Sequence, residues 1–471
     1  MPCDIQGEAG SELEPELYAR WGRGLGLQVA PQAKFVIGGD VRGSTPGFLA
    51  ALADGLCQAG VDVINLGVMT TPMIYYAKRR LQAAGCAIVT ASHNPAKTNG
   101  LKWQIGERPP GEDDVAELRR AARSPNARRS RRPRTEQRPL DVSFDYVAWL
   151  QERWVEWMGA RLRVVLDPMH GCCACRARRY LQAVFPHTLF VAIHDASDPS
   201  FGGRSPDCSR PENLEELVEA VYRERADVGV AFDGDGERIA LVDNEGNVLT
   251  AEETTWIFLG SLGRQLRGRR FVHDVKFSDC IPRRARKLGA EPVAERSGHA
   301  FVRRRMLDAR ALFGAEVSGH YFFEELGGGD DGLFAACWVL AHLAQSRKPL
   351  AQLRRACPPV FITPDLRLPL APRDQARVLQ QARDAWSHCP QTSLDGVRID
   401  FPKGWALVRG SVTEPALTFR FEANRWTDLS RLVRRFCQSL PGLGADLWRQ
   451  FAAATGHAHA RDALEEAPNA R

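Results

Sequence analysis

Little in the chain marks it as secreted, membrane-spanning or fibrous. Its 471 residues include 12 cysteines, too few for a disulfide scaffold. No uninterrupted apolar run reaches the ~18 residues that a membrane span requires. The opening Met1-Pro2-Cys3-Asp4 has neither a basic stretch nor an apolar core, so no signal peptide is expected and the sequence points to the cytoplasm. Cys172, Cys173 and Cys175 cluster, but no second group of Cys or His stands at zinc-ligand spacing nearby. They are expected to be small thiols in a reducing compartment. Lysine is scarce, eight against 55 arginines, and no function follows from that.

What is present is an ordinary globular balance. Hydrophobic residues make up 44% and charged residues 25%, which excludes a disordered chain. The length predicts three or four domains. The net charge of +6 is concentrated in one place. Residues 119–138 hold nine arginines against the single acid Glu136. The segment lacks interleaved aromatics, so a solvated loop is expected there and no nucleic-acid partner.

The first 105 residues alternate between apolar runs and helical patterns. Short strands are expected near 34–37, 61–66 and 86–90, with helices over 46–59 and 72–83. Residues 106–138 are polar and basic and are expected as a surface excursion. A second unit has strands near 163–167, 189–192 and 227–232, with helices near 174–184 and 212–224. A third has helices over 251–266 and 279–289 and strands near 271–275 and 311–317. Strands alternating with helices imply βαβ units and mostly parallel sheets. Past about 358 the pattern changes to strands near 361–368, 395–400 and 415–422, with helices over 371–387 and 427–440. The expected fold class is α/β, with three related mixed α/β domains (1–147, 148–248, 249–358) and a smaller α+β domain (359–445). Residues 446–471 carry little pattern and are expected as a tail.

Four polar segments follow strand ends, where ligands sit in open α/β sheets. Thr90-Ala91-Ser92-His93-Asn94-Pro95 puts a serine on a rigid turn, as a nucleophile or phosphate carrier requires; a helix N-cap uses the same residues. Lys102 follows on the next strand. Asp233-Gly234-Asp235-Gly236-Glu237-Arg238 alternates three carboxylates with glycines. In an extended loop these would point one way, and converging acids need a hard cation such as Mg²⁺ or Ca²⁺. An EF-hand is not expected, because its sixth and twelfth positions would be Arg238 and Asn244 rather than Gly and Glu. Glu316, Ser318 and His320 alternate on one face, a set suited to vicinal sugar hydroxyls. Arg409-Gly410-Ser411-Val412-Thr413 offers a guanidinium, two hydroxyls and backbone N–H groups, the makings of a phosphate nest.

With these four loops in this order, the sequence resembles the α-D-phosphohexomutase superfamily, in its bacterial phosphomannomutase/phosphoglucomutase branch. The resemblance runs from about residue 3 to 440. It includes GVMTTPMIYYA (67–77), NGLKW (99–103), FGGRSPDCSRPENL (201–214), RSGHAFV (296–302), GGDDG (328–332) and DGVRIDFPKGWALVRGS (395–411). It implies four domains around a central cleft. It also implies a Mg²⁺-dependent isomerase that interconverts hexose 1- and 6-phosphates of glucose or mannose, a monomer or homodimer with a small phosphosugar as its partner. The phosphoryl group would be carried on a serine, with glucose 1,6-bisphosphate as intermediate and activator. Phosphoglucosamine mutase, or a weakly active phosphosugar-binding homologue, is the alternative. Carried over by position, Ser92 would be the phosphoserine and, with Asp233, Asp235 and Glu237, a metal ligand. Arg238 would neutralise the phosphoryl group, and His93 and Lys102 would handle protons. Glu316, Ser318, His320 and His299 would read the sugar, and Arg409, Ser411 and Thr413 would hold the distal phosphate.

The chain departs from the family pattern at a few points. The usual Tyr-Asp-Ile-Arg-Gly is Cys3-Asp4-Ile5-Gln6-Gly7 here, so an aromatic platform and a positive charge are absent. The third metal acid is Glu237 rather than aspartate. Ala315 precedes Glu316 where glycine is usual, and Arg296 stands for a lysine. The first of these implies slower turnover or a shifted substrate.

Overall fold

The computed structural model describes residues 4–123, 139–411 and 415–455. Cys3, most of the arginine-rich segment and Thr413 therefore lie outside the described residues. The described residues form four sheets. The first orders its strands as Ile5–Glu8, Thr98–Ile105, Gly85–Val89, Lys34–Gly39 and Asp62–Val68. Lys34–Gly39 pairs in parallel with both of its neighbours, and the remaining pairs are antiparallel. The second sheet orders Leu189–Ala192, Arg163–Asp167, Val228–Phe232 and Ile239–Asp243, with a parallel centre and an antiparallel edge. The third runs Glu291–Glu295, Arg270–Asp274, Phe313–Ala315, Tyr321–Phe323 and Gly329–Asp330. The fourth is antiparallel and centres on Gly404–Gly410 and Ala416–Ala423.

The central parallel strands are largely apolar, as strands buried on both faces are. Gly85–Val89 and Val228–Phe232 are buried at every position. The helix Thr45–Gln58 presents Leu49, Leu52, Ala53 and Leu56 to the core at helical spacing. The helix Ala251–Leu262 begins with a reciprocal capping box between Thr250 and Glu253.

Two expectations are corrected. Residues 106–138 are not wholly a surface excursion: Glu112–Arg123 is a helix whose Val115, Leu118 and Ala122 join the core of the first sheet. Three apolar residues at spacings of three and four are enough to seat it, and the surrounding charges hid that stripe. The tail expected from 446 begins inside a helix, Gly444–Thr455, whose Leu447 and Phe451 are buried in the core of the fourth sheet.

The chain divides into two compact units. The first comprises residues up to 272 with 285–292 and 299–357, and contains the first two sheets whole. The second comprises 273–284, 293–298 and the chain from 358 onward. Among the described residues no helix is long and apolar enough to cross a membrane, and the described cysteines are free.

Candidate active site

In the first unit, three loops that follow strand ends meet. Ser92 is the third residue after the strand Gly85–Val89 and holds a left-handed backbone, with φ of 51°. That conformation is costly for a residue with a Cβ and persists only when its surroundings impose it. Here they do. The Thr90 hydroxyl accepts from the Ser92 N–H at 2.9 Å. The fully buried Arg42 donates to the carbonyl oxygens of Ser92, Asn94 and Pro95 while its Nε pairs with Asp40 at 2.8 Å. The Ser92 hydroxyl donates to Asp233 Oδ2 at 2.8 Å. Gly234 permits this approach, since a Cβ there would sit 2.6 Å from the Ser92 carbonyl oxygen.

The acidic loop is a tight turn, not the extended segment expected, and its three acids have different neighbours. Asp233 faces Ser92. Asp235 accepts from Thr71 at 2.8 Å and from Lys102 Nζ at 3.0 Å. Glu237 makes a short contact with the same ammonium. All three carboxylates are buried, and one lysine serves two of them. Burial opposes the charge on Asp235, but Lys102 and the Thr71 hydroxyl outweigh it and hold its carboxyl well below the usual range. Burial lifts Glu237 to about 8, and Lys102 only partly offsets this. Burial and the neighbouring Asp235 lift Asp233 to about 7. Burial also opposes the charge on Lys102, yet the two acids keep its ammonium protonated.

The loop is thus short of positive charge. Asp235 Oδ1 and Glu237 Oε1 are buried without a hydrogen-bond partner, which costs free energy unless a cation or donor meets them. These hard oxygen donors fit a divalent cation such as Mg²⁺. Among the described residues, the group whose ligand atoms all lie within 4.8 Å of one another is Glu237, His320 and Asp330.

Arg238 is partly buried and links the loops. Its backbone N–H donates to Asp233 Oδ1 at 3.1 Å, and its Nε lies 2.8 Å from His320 Nε2 and 3.6 Å from Asp233 Oδ2. A guanidinium donates only, so His320 Nε2 accepts. Its Nδ1 then donates to Asp330 in a short contact. Burial and Arg238 lower the pKa of His320 below its usual value. His93 Nδ1 is 3.4 Å from the Ser92 hydroxyl, and burial and Arg238 lower its pKa to about 3. His299 pairs with Asp4 at 2.9 Å. Burial opposes its charge, but Asp4 lifts it to about 9.

The strand expected over 311–317 ends at Ala315. Glu316, Ser318 and His320 therefore lie on a turn closed by the Glu316 N–H donating to the His320 carbonyl, with Gly319 at φ of 90°. The alternation does not describe a strand face. Ser318 Oγ is buried and has no hydrogen-bond partner, in keeping with a hydroxyl reader.

In the second unit, Arg409 ends the strand Gly404–Gly410 and is buried, with Nε donating to Asp395 Oδ2 at 2.6 Å. Ser411 closes the hairpin through its N–H to the Ala416 carbonyl at 2.8 Å.

Sequence reasoning missed Arg42, Asp40, Thr71, Asp330, Asp4 and Asp395. Asp40 and Arg42 carried a usable signal, because they follow the strand Lys34–Gly39 as directly as Ser92 follows its own. Gln6, where the family pattern has arginine, accepts from Asn94 Nδ2 at 2.7 Å and so braces the serine loop without a charge.

Three family models match: phosphoglucomutase/phosphomannomutase alpha/beta/alpha domain I over residues 3–124, domain II over 145–246 and domain III over 251–361. The chain is 30% identical to a phosphomannomutase/phosphoglucomutase of Pseudomonas aeruginosa, covering 94% of this chain and 96% of that protein. It is also 30% identical to a phosphomannomutase of Escherichia coli, covering 90% and 95%. A crystal structure of a phosphoglucomutase/phosphomannomutase family protein from Burkholderia thailandensis superimposes with a TM-score of 0.82 at 28% identity, covering 96% of this chain and 97% of that one.

Proposed function

Because the chain belongs to the phosphoglucomutase/phosphomannomutase family, we propose that it is a phosphohexomutase acting on glucose or mannose phosphates, with Ser92 as the carrier of the phosphoryl group. The observation that carries the reading is the placement of the Ser92 hydroxyl. It lies buried on a turn with a left-handed backbone, 2.8 Å from Asp233, with Arg238 Nε 3.6 Å from the same carboxylate.

Phosphoryl transfer asks for in-line positioning and charge neutralisation more than for covalent help. Arg42 fixes the carbonyl groups around Ser92 and so aims its hydroxyl. Arg238 neutralises charge on the transferring group. Asp233, Asp235 and Glu237, with the phosphorylated Ser92, would hold Mg²⁺, which supplies charge neutralisation and orientation of the phosphoryl oxygens when bound. His93 is neutral and 3.4 Å from the Ser92 hydroxyl, and with Lys102 it handles the proton exchanged between the serine and the sugar hydroxyl. Lys102 remains charged and donates. Glu316 and Ser318, with His320 and His299 beside them, read the hexose hydroxyls. Arg409, Ser411 and Thr413 hold the phosphate that is not reacting.

The reaction conserves phosphate. The serine's phosphoryl group passes to the free 6- or 1-hydroxyl of the hexose phosphate, giving the 1,6-bisphosphate. After the intermediate reverses its orientation, the other phosphate returns to Ser92. A few hydroxyl contacts tolerate both orientations better than a close shape match would. The test is conversion of glucose 1-phosphate or mannose 1-phosphate to the 6-phosphate with Mg²⁺ and a trace of glucose 1,6-bisphosphate. Turnover is expected from the parent and not from Ser92→Ala. Equal rates in the two proteins would overturn the assignment, and preferential turnover of glucosamine phosphate would reassign the sugar.

A further inference from the structure

We infer that Asp395 is a positioning residue that sets the phosphate-binding geometry of Arg409. The inference rests on the reading of Arg409 as the clamp for the non-reacting phosphate. Both residues lie in the second unit. Asp395 Oδ2 accepts from Arg409 Nε at 2.6 Å and from the Ser297 N–H at 3.1 Å. The Arg409 side chain is 5% exposed and that of Asp395 14%, so the pair is largely shielded from water and holds one geometry. Gly396 explains how the acid reaches the arginine. It has φ of 78°, and a Cβ on it would lie 2.1 Å from the Val408 carbonyl oxygen and 2.7 Å from the Arg409 Cα. The turn before the strand Val397–Phe401 therefore closes onto the arginine's own backbone.

A guanidinium held through Nε keeps its plane, and its two terminal nitrogens form the fork that matches a phosphate bidentately. Ser297 is fixed from both sides: its N–H goes to Asp395, and its hydroxyl donates to Asp274 Oδ1 at 2.7 Å. Asp395 thus ties the clamp to the loop Arg296-Ser297-Gly298. Its negative charge repels a phosphate, so the geometry favours orientation as its contribution.

The test is a double-mutant cycle in the full-length enzyme, with Asp395→Asn, Asp395→Ala, Arg409→Ala and each pair combined. KM and kcat are measured from glucose 1-phosphate and from glucose 6-phosphate. Losing a charge-assisted bond to a buried partner is expected to raise both KM values by about tenfold in Asp395→Ala. A smaller rise is expected in Asp395→Asn, which keeps an acceptor, with kcat little changed in either. Added to Arg409→Ala, the Asp395 changes should have no further effect on KM. Unchanged KM in both Asp395 variants, or a rise that adds in full to that of Arg409→Ala, would overturn the inference. So would a lower melting temperature without a KM change, which marks a merely structural acid. If Arg409→Ala itself leaves KM unaltered, the clamp reading falls, and this inference with it. If only the Asp395 variants are silent, the clamp stands and the inference alone fails.

Discussion

Asp235 in the first unit and Arg409 in the second are both buried charges beside a proposed ligand, but they are supported in different ways. Asp235 is held by Lys102 and by the hydroxyls of Thr71 and Thr90, and that lysine also serves Glu237. Arg409 has Asp395 as its ionic partner and otherwise sits in a strand ladder, opposite Thr418. The acidic loop is a network in which charges depend on one another. The phosphate turn is a pair mounted on a sheet. A network fails as a whole when one cation is removed, because several buried acids lose compensation at once. A mounted pair should lose its aim while the fold survives.

The largest effect on stability is expected from Lys102→Met. It strands Asp235 and Glu237 in a buried setting, at a cost of about 3–5 kcal/mol. Thermal unfolding should show a marked drop that added Mg²⁺ partly reverses. A melting temperature equal to the parent's would remove the network argument.

His299→Gln is expected to come next, with a pH signature. The pKa of His299 rises from 6.5 to about 9 in the folded chain, so the folded state binds that proton more tightly than the unfolded one. The stabilisation is complete below about pH 6.5 and is lost as the pH climbs through about 9. The variant should be less stable than the parent by up to roughly 3 kcal/mol at low pH, with the two converging at high pH. A difference that does not change with pH would refute the Asp4 pairing.

The smallest effect is expected in the second unit. The Trp405 indole donates to Glu422 Oε2 at 2.7 Å, but Glu422 also accepts from the Ser278 hydroxyl and the Asp279 N–H. Trp405→Phe should therefore cost only about 1–2 kcal/mol in denaturant unfolding. A loss as large as that of Lys102→Met would erase the contrast between network and mounted pair.

The legible parts of the site were those coded locally. The serine turn, the acidic loop and the phosphate hairpin each follow a recognisable apolar strand. Where an inference depended on the shape of a loop, it went astray. The acids of 233–237 and the polar residues of 316–320 were expected to alternate along extended chain, but both loops are tight turns containing positive-φ glycines. The helix Glu112–Arg123 escaped notice because its three core residues are outnumbered by charges, and only the neighbouring helix Pro15–Gly26 makes them a face.

By itself the sequence determined which residues stand at strand ends, because strand and turn formation depend on near neighbours and on a side-chain period of two. The tertiary structure decided how buried charge is shared. Lys102 and Asp235 are 133 positions apart, and Arg42 finds the serine loop 50 positions away. Such pairings are selected by which ions lose their water together, and that is settled only when the sheets have packed.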